Sequence, residues 1–97
     1  MVNGCNTTGV KTATDTCIES RCRIASFTVS ATGNTAGSVT FWDSNAATTS
    51  GKKKLAVMYV GAETTAHNYQ LIMSGALAME GVYAVVTGTI NYSIEYF

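Results

Sequence analysis

Proline is absent from this 97-residue chain. Proline is one of the devices that keep the edge of a β-sheet from pairing with a stray strand, so any edges here must be guarded in other ways. Charge is scarce as well. Asp, Glu, Lys and Arg make up 12% of the residues and cancel to a net charge of zero, against a usual charged share of ~25%. Non-specific nucleic-acid binding depends on Lys and Arg neutralising phosphates; with no basic excess, that partner is not expected. No apolar run approaches the ~20 residues of a membrane-spanning helix, so a membrane partner is not expected either. The opening Met1-Val2-Asn3-Gly4-Cys5 has neither the basic start nor the apolar run of a secretory signal, and the expectation is a chain made and kept in a cytosol unless a particle carries it out.

Catalytic groups are equally thin. His67 is the sole histidine, so any histidine-based acid–base step rests on it, and no nucleophile signature accompanies it. The carboxylates Asp15, Glu19, Asp43, Glu63, Glu80 and Glu95 are scattered along the chain. Asp43-Ser44-Asn45 starts like a calcium loop, but Ala46-Ala47-Thr48-Thr49 follows with no acidic residue to complete a hard-cation shell; a side-chain-stabilised turn accounts for the same residues. The glycines match no phosphate-cradling motif. Neither an enzyme nor a cofactor is expected. Cys5, Cys17 and Cys22 form an odd set, read as free thiols in a reducing compartment. A Cys17–Cys22 bridge is the alternative, and a zinc site with His67 fits the usual ligand spacings poorly.

What the chain does have is apolar content, 46% of its residues, enough for one core at a length that leaves no room for a second. Its remaining surface is Thr, Ser, Asn and Gly. Residues 1–18 carry no periodic face and read as an extended N-terminal arm with an edge strand around Val10–Thr14; residues 19–97 read as the domain. From Arg21 the period becomes two. In Arg23–Ala31 the residues Ala25, Phe27, Val29 and Ala31 share one face and Ser26, Thr28 and Ser30 the other, the mark of a half-buried strand. Thr32–Gly37 is a turn cluster. Ser38–Asp43 puts Val39 and Phe41 inward, with Thr40 and Trp42 opposite.

Leu55–Val60 is apolar on both faces and reads as a central or doubly covered strand. Gly61–Thr64 reads as a turn. Thr65–Met73 alternates again, grouping His67, Tyr69, Leu71 and Met73. Ser74-Gly75 is expected to end that strand, before a short apolar piece at Ala76–Met79. Val82–Thr87, Gly88-Thr89 and Ile90–Tyr96 read as a hairpin, with Ile90, Tyr92, Ile94 and Tyr96 on one face. Six such strands, and one or two shorter ones, predict an antiparallel two-sheet sandwich of jelly-roll or immunoglobulin-like topology. Phe27, Phe41, Val57, Leu71 and Ile94 are expected to meet in its interior.

Trp42 is the residue with most to offer a partner. It lies opposite Phe41, beside Thr40, where it either roofs a second small core, makes a subunit contact or stacks on a sugar. Lys52-Lys53-Lys54 reads as a solvated turn that discourages edge pairing, or as a contact for an anionic surface. The candidate interface is therefore Trp42 and Thr40, the run Lys52, Lys53 and Lys54, and Val10, Lys11 and Thr12 of the arm.

The segments Arg23-Ile24-Ala25-Ser26-Phe27-Thr28-Val29, Thr32-Gly33-Asn34-Thr35-Ala36-Gly37 and Ser38-Val39-Thr40-Phe41-Trp42-Asp43 form a recognisable opening. Together with Gly81-Val82-Tyr83-Ala84-Val85-Val86-Thr87-Gly88-Thr89 and Tyr92-Ser93-Ile94-Glu95-Tyr96, they resemble the small β-sandwich proteins encoded in tailed-bacteriophage structural gene clusters. The resemblance spans residues 21–97; the cysteine-bearing arm and Trp42 have no counterpart in the pattern. It implies a non-enzymatic virion protein: a capsid decoration or cement subunit, or a neck or tail component. It further implies a homo-oligomer held by symmetric contacts, with the major capsid protein or another virion protein as partner. The place implied is the virion, with the host cytoplasm during assembly.

Overall fold

The computed structural model describes residues 6–31, 36–61 and 68–97; the turn at residues 32–35, His67 and Glu63 lie outside them. All the regular structure is β. One sheet runs, in spatial order, β1 (Asn6–Thr7), β8 (Ile90–Tyr96), β3 (Cys22–Ala31) and β6 (Asn68–Ala78). The other runs β2 (Asp15–Ile18), β7 (Val82–Gly88), β4 (Gly37–Asp43) and β5 (Lys53–Val60). Every pairing is antiparallel. The two-sheet antiparallel sandwich expected from the period-two pattern is the fold.

The core forms where the inward faces meet. Ile24, Phe27 and Val29 of β3, Val39 and Phe41 of β4, Val82 and Ala84 of β7, and Ile90, Tyr92 and Ile94 of β8 are all buried. Phe27 and Phe41 stack across the two sheets with centroids 3.9 Å apart and planes within 7°, and Tyr92 meets Phe41 edge-on at 5.9 Å. Each buried ring removes ~150–250 Å² from water, worth several kcal/mol at ~25 cal/mol/Å².

The chain changes sheet at nearly every connection. Among the described strands only β4 and β5 form a hairpin within one sheet. The expected Val82–Tyr96 hairpin is therefore corrected: β7 and β8 lie in different sheets, β7 beside β4 and β8 beside β3. Gly88, at φ 82°, turns the chain over the rim of the sandwich, with its Cα face against Ala36 and Gly37. A side chain there would strike that backbone, so the position needs glycine for space as well as for dihedral angle.

Bulges account for the remaining departures. Ile24 pairs with Tyr96 and Ser26 with Glu95, leaving Ala25 as an extra residue in β3. This resets the phase, so Ile24, not Ala25, shares the core face with Phe27, as expected at a β-bulge. Ser74-Gly75 does not end β6, which runs through it. Ser74 (φ 54°) and Gly75 (φ 81°) form a bulge between the pairs Ser26–Ile72 and Ile24–Ala76, and the Arg23 guanidinium donates to the Gly75 carbonyl at 3.1 Å.

Strand β5 is an edge, not a central strand. Its outward residues Val57 and Tyr59 are 36% and 79% exposed, so Val57 does not belong to the core. Leu71 keeps the inward phase opposite Phe27, but it stands on the edge strand β6 and is 38% exposed. Residues 6–18 run along the other edge of the sandwich. They supply β1, an isolated bridge from Lys11 to Tyr92, and β2, and Ile18 enters the core.

Candidate functional site

The sequence-derived contact residues fall in three places. Thr40 and Trp42 lie half-buried on the outward face of β4, where Thr40 faces Val57 and Val85, and Trp42 faces Lys54 and Tyr83. The Lys54 ammonium lies 5.2 Å from the Trp42 ring centroid, a cation–π contact. Lys53 is exposed in β5 opposite Asp43. Lys52 points elsewhere, to the Glu80 carboxylate at 2.6 Å. Val10, Lys11 and Thr12 lie beside β8, where Lys11 pairs with Asp15 at 2.8 Å and Val10 is 75% exposed. Thr40, Trp42 and Lys54 thus share one surface; the other two groups do not join it.

The carboxylates are engaged in holding the fold. Asp43, 8% exposed, accepts the backbone N–H groups of Met79 (2.9 Å), Glu80 (2.8 Å) and Gly81 (3.4 Å). It thereby fastens the crossover from β6 to β7. Ser44 closes the adjoining turn through its hydroxyl and the backbone of Ala46, so Asp43-Ser44-Asn45 is a turn and not a calcium loop. Glu95 accepts hydroxyl bonds from Ser26, Thr28, Ser93 and Thr7 at 3.0–3.4 Å, tying β1, β3 and β8 on the outward face of their sheet. Beside this cluster is a shallow groove of about 460 Å³, floored by Thr28, Ser30, Gln70, Asn91 and Ser93.

Cys17 and Cys22 are free thiols, and burial pushes both above the ordinary thiol range, which makes them poor nucleophiles. Cys17 is the extra residue in a bulge of β2, with its Sγ 3.5 Å from the Tyr92 hydroxyl. That hydroxyl donates to the Ala13 carbonyl at 2.6 Å, and burial raises its pKa above the usual phenol value. Among the described residues no group of three or more His, Cys, Asp or Glu could hold a metal ion.

Sequence reasoning missed the exposed apolar side of the sandwich. Val57, Tyr59, Leu71 and Ile72 stand out to solvent along β5 and β6, the two strands at the same lateral side. A signal was present: Lys52-Lys53-Lys54 directly before Leu55 is the charge pattern of a guarded edge. No protein family, curated protein or solved structure matches the chain.

Proposed function

We propose that this chain is a non-enzymatic structural subunit of a tailed-bacteriophage particle, a capsid decoration or cement protein that works by repeated contacts with the capsid and with its own copies. The observation that carries the reading is the uncovered side of the sandwich. Two strands there, eight and eleven residues long, present open edges and large apolar side chains in a chain with few charges to keep copies apart. Free monomers normally guard long edges with charge, proline or a covering segment. A subunit whose edge is covered in an assembly needs none of these.

The carboxylates support the same reading, since Asp43, Glu95, Asp15 and Glu80 already have partners within the fold. A glycan platform at Trp42 is less favoured. Lys54 takes up a ring face that a sugar would need, and Trp42 is itself half-buried.

The test is quantitative mass spectrometry on density-purified particles from the producing culture. A copy number comparable to that of the major capsid protein is expected. A few copies per particle would move the chain to the neck or tail, and its confinement to the soluble fraction would overturn the proposal.

A further inference from the structure

Strand β5 differs from the other open edge in being able to pair with itself. Opposite β4, the residues Ala56, Val57, Met58, Tyr59 and Val60 run in unbroken register against Phe41, Thr40, Val39, Ser38 and Gly37. The bulge at Leu55 ends that regular stretch, because Lys54 already pairs with Trp42. Two sheets joined antiparallel about a twofold axis must match outward residues with outward ones. For Ala56–Val60 the register centred on Met58 does this for all five residues. Met58 then faces Met58, Ala56 faces Val60, and Val57 faces Tyr59 of the second copy.

The outward pair joins a β-branched residue to an aromatic one, a favourable cross-strand combination, and covers the most exposed aromatic side chain on this edge, Tyr59 at 79%. Lys53 and Lys54 lie outside the paired residues at opposite ends of the joint. The antiparallel arrangement therefore keeps the lysines of the two copies apart, whereas a parallel one would set them side by side. Strand β6 offers no equal match. Its regular stretch ahead of the Ser74-Gly75 bulge, centred on Leu71, would set Gln70 against Ile72 on the outward face.

We infer that β5 is the seat of a twofold contact between two copies of this chain, Ala56–Val60 pairing antiparallel with itself about Met58. The inference rests on the structural-subunit reading and names the surface and partner that reading requires. The joint is small. Five residues at ~3.4 Å each along a molecule 17 Å thick cover about 300 Å² per copy, against the ~800 Å² per partner of a stable complex. The pair is therefore weak in free solution and gains strength where other contacts hold the copies close, as on a particle surface.

Sedimentation velocity on the full chain between about 10 μM and 1 mM, a range suited to so weak a contact, tests this. The wild-type chain and Ile72→Lys, an exposed control on β6, are expected to show the same monomer–dimer equilibrium. Val57→Lys and Tyr59→Lys are expected to weaken it at least tenfold while circular dichroism stays unchanged. Under mild oxidation, Met58→Cys is expected to form more disulfide-linked dimer than the wild-type chain with its own three cysteines, because directly opposed Cα atoms lie within bridging distance. A chain that stays monomeric throughout, or loses its dimer through Ile72→Lys but not Tyr59→Lys, overturns the inference. Equal disulfide yields from Met58→Cys and wild type overturn the register. Finding the chain in particles at fixed copy number despite a monomeric free state would leave the structural-subunit reading standing, so the two ideas fail separately.

Discussion

Removing the Asp43 carboxylate should loosen the molecule more than any other single polar change. Asp43→Ala strips the acceptor from three backbone N–H groups at Met79, Glu80 and Gly81, in a corner where Asp43 is 8% exposed. A hydrogen bond to a charged group contributes about 1.5–3 kcal/mol. The 3.4 Å bond to Gly81 is the weakest of the three, and some freed N–H groups will find water, so the loss is set at about 3–4 kcal/mol, not the full sum. For a chain of this length that is a large part of an expected total of roughly 5–15 kcal/mol, and the midpoint should fall by about 12–30 °C.

Asp43→Asn keeps Oδ1 as acceptor for Glu80 and Gly81 but turns an amide toward the Met79 N–H. It should fall between wild type and alanine. The assay is urea unfolding followed by far-UV circular dichroism, since Trp42 adjoins the mutated site and its fluorescence would report the substitution itself. An alanine variant within 1 kcal/mol of wild type would refute the claim that this carboxylate fastens the crossover.

Gly88→Ala should cost at least ~2 kcal/mol, because a left-handed dihedral and a steric clash combine there. Gly51→Ala, at φ 72° with open space around it, should cost only the backbone share of about 1 kcal/mol; thermal melts of the pair separate the two effects. Phe41→Ala removes the ring that both Phe27 and Tyr92 pack against and should cost about 3–5 kcal/mol in denaturant unfolding. Stability should also decline in alkali. Cys17, Cys22 and Tyr92 all have pKa values raised by burial, so above about pH 8.5 the unfolded chain releases protons that the folded chain retains. Unfolding free energy must then fall with rising pH. Tyr92→Phe should flatten the part of this decline above about pH 10 while costing about 1 kcal/mol at neutral pH through the lost bond to Ala13; unfolding midpoints across a pH series would show both.

The alternation of side chains was legible wherever the backbone is regular. Phe27 with Val29, Val39 with Phe41, and Ile90 with Tyr92 and Ile94 are buried as their spacing foretold, because in a pleated strand parity alone decides the face. Ala25, Leu55 and Ser74-Gly75 break parity at bulges, and nothing in the local residue pattern of Ala25 or Leu55 announces one. Gly88-Thr89 shows a different limit. A glycine at positive φ serves a tight hairpin or a corner between sheets equally well, and what decides is its packing against Ala36 and Gly37, some fifty residues away in the chain. Leu55–Val60 misled for a third reason: apolar residues on both faces describe a covered strand whether the cover comes from the same chain or from another. The Asp43 and Glu95 clusters had no sequence signal, since their partners are brought together only by the sheet crossings.

The same crossings decide how copies of this chain can meet. Each strand pair β1–β2 and β5–β6 occupies the same lateral side in both sheets, so the sandwich has one side built from residues 6–18 and another from β5 and β6. The first side is poor material for pairing. Its strands are two and four residues long, β2 is bulged at Cys17, and Lys11 and Asp15 stand along it as an ion pair; short, bulged and charged edges are those that resist strand addition. A joint from β5 of one copy to β2 of the next would be heterologous and would propagate into a filament. The asymmetry between the two sides disfavours that joint, whereas a β5-to-β5 joint uses the same edge twice and closes at two copies. A subunit that must coat a surface without polymerising away from it needs this combination: one side open enough to be covered in the assembly, and the opposite side unable to continue the sheet.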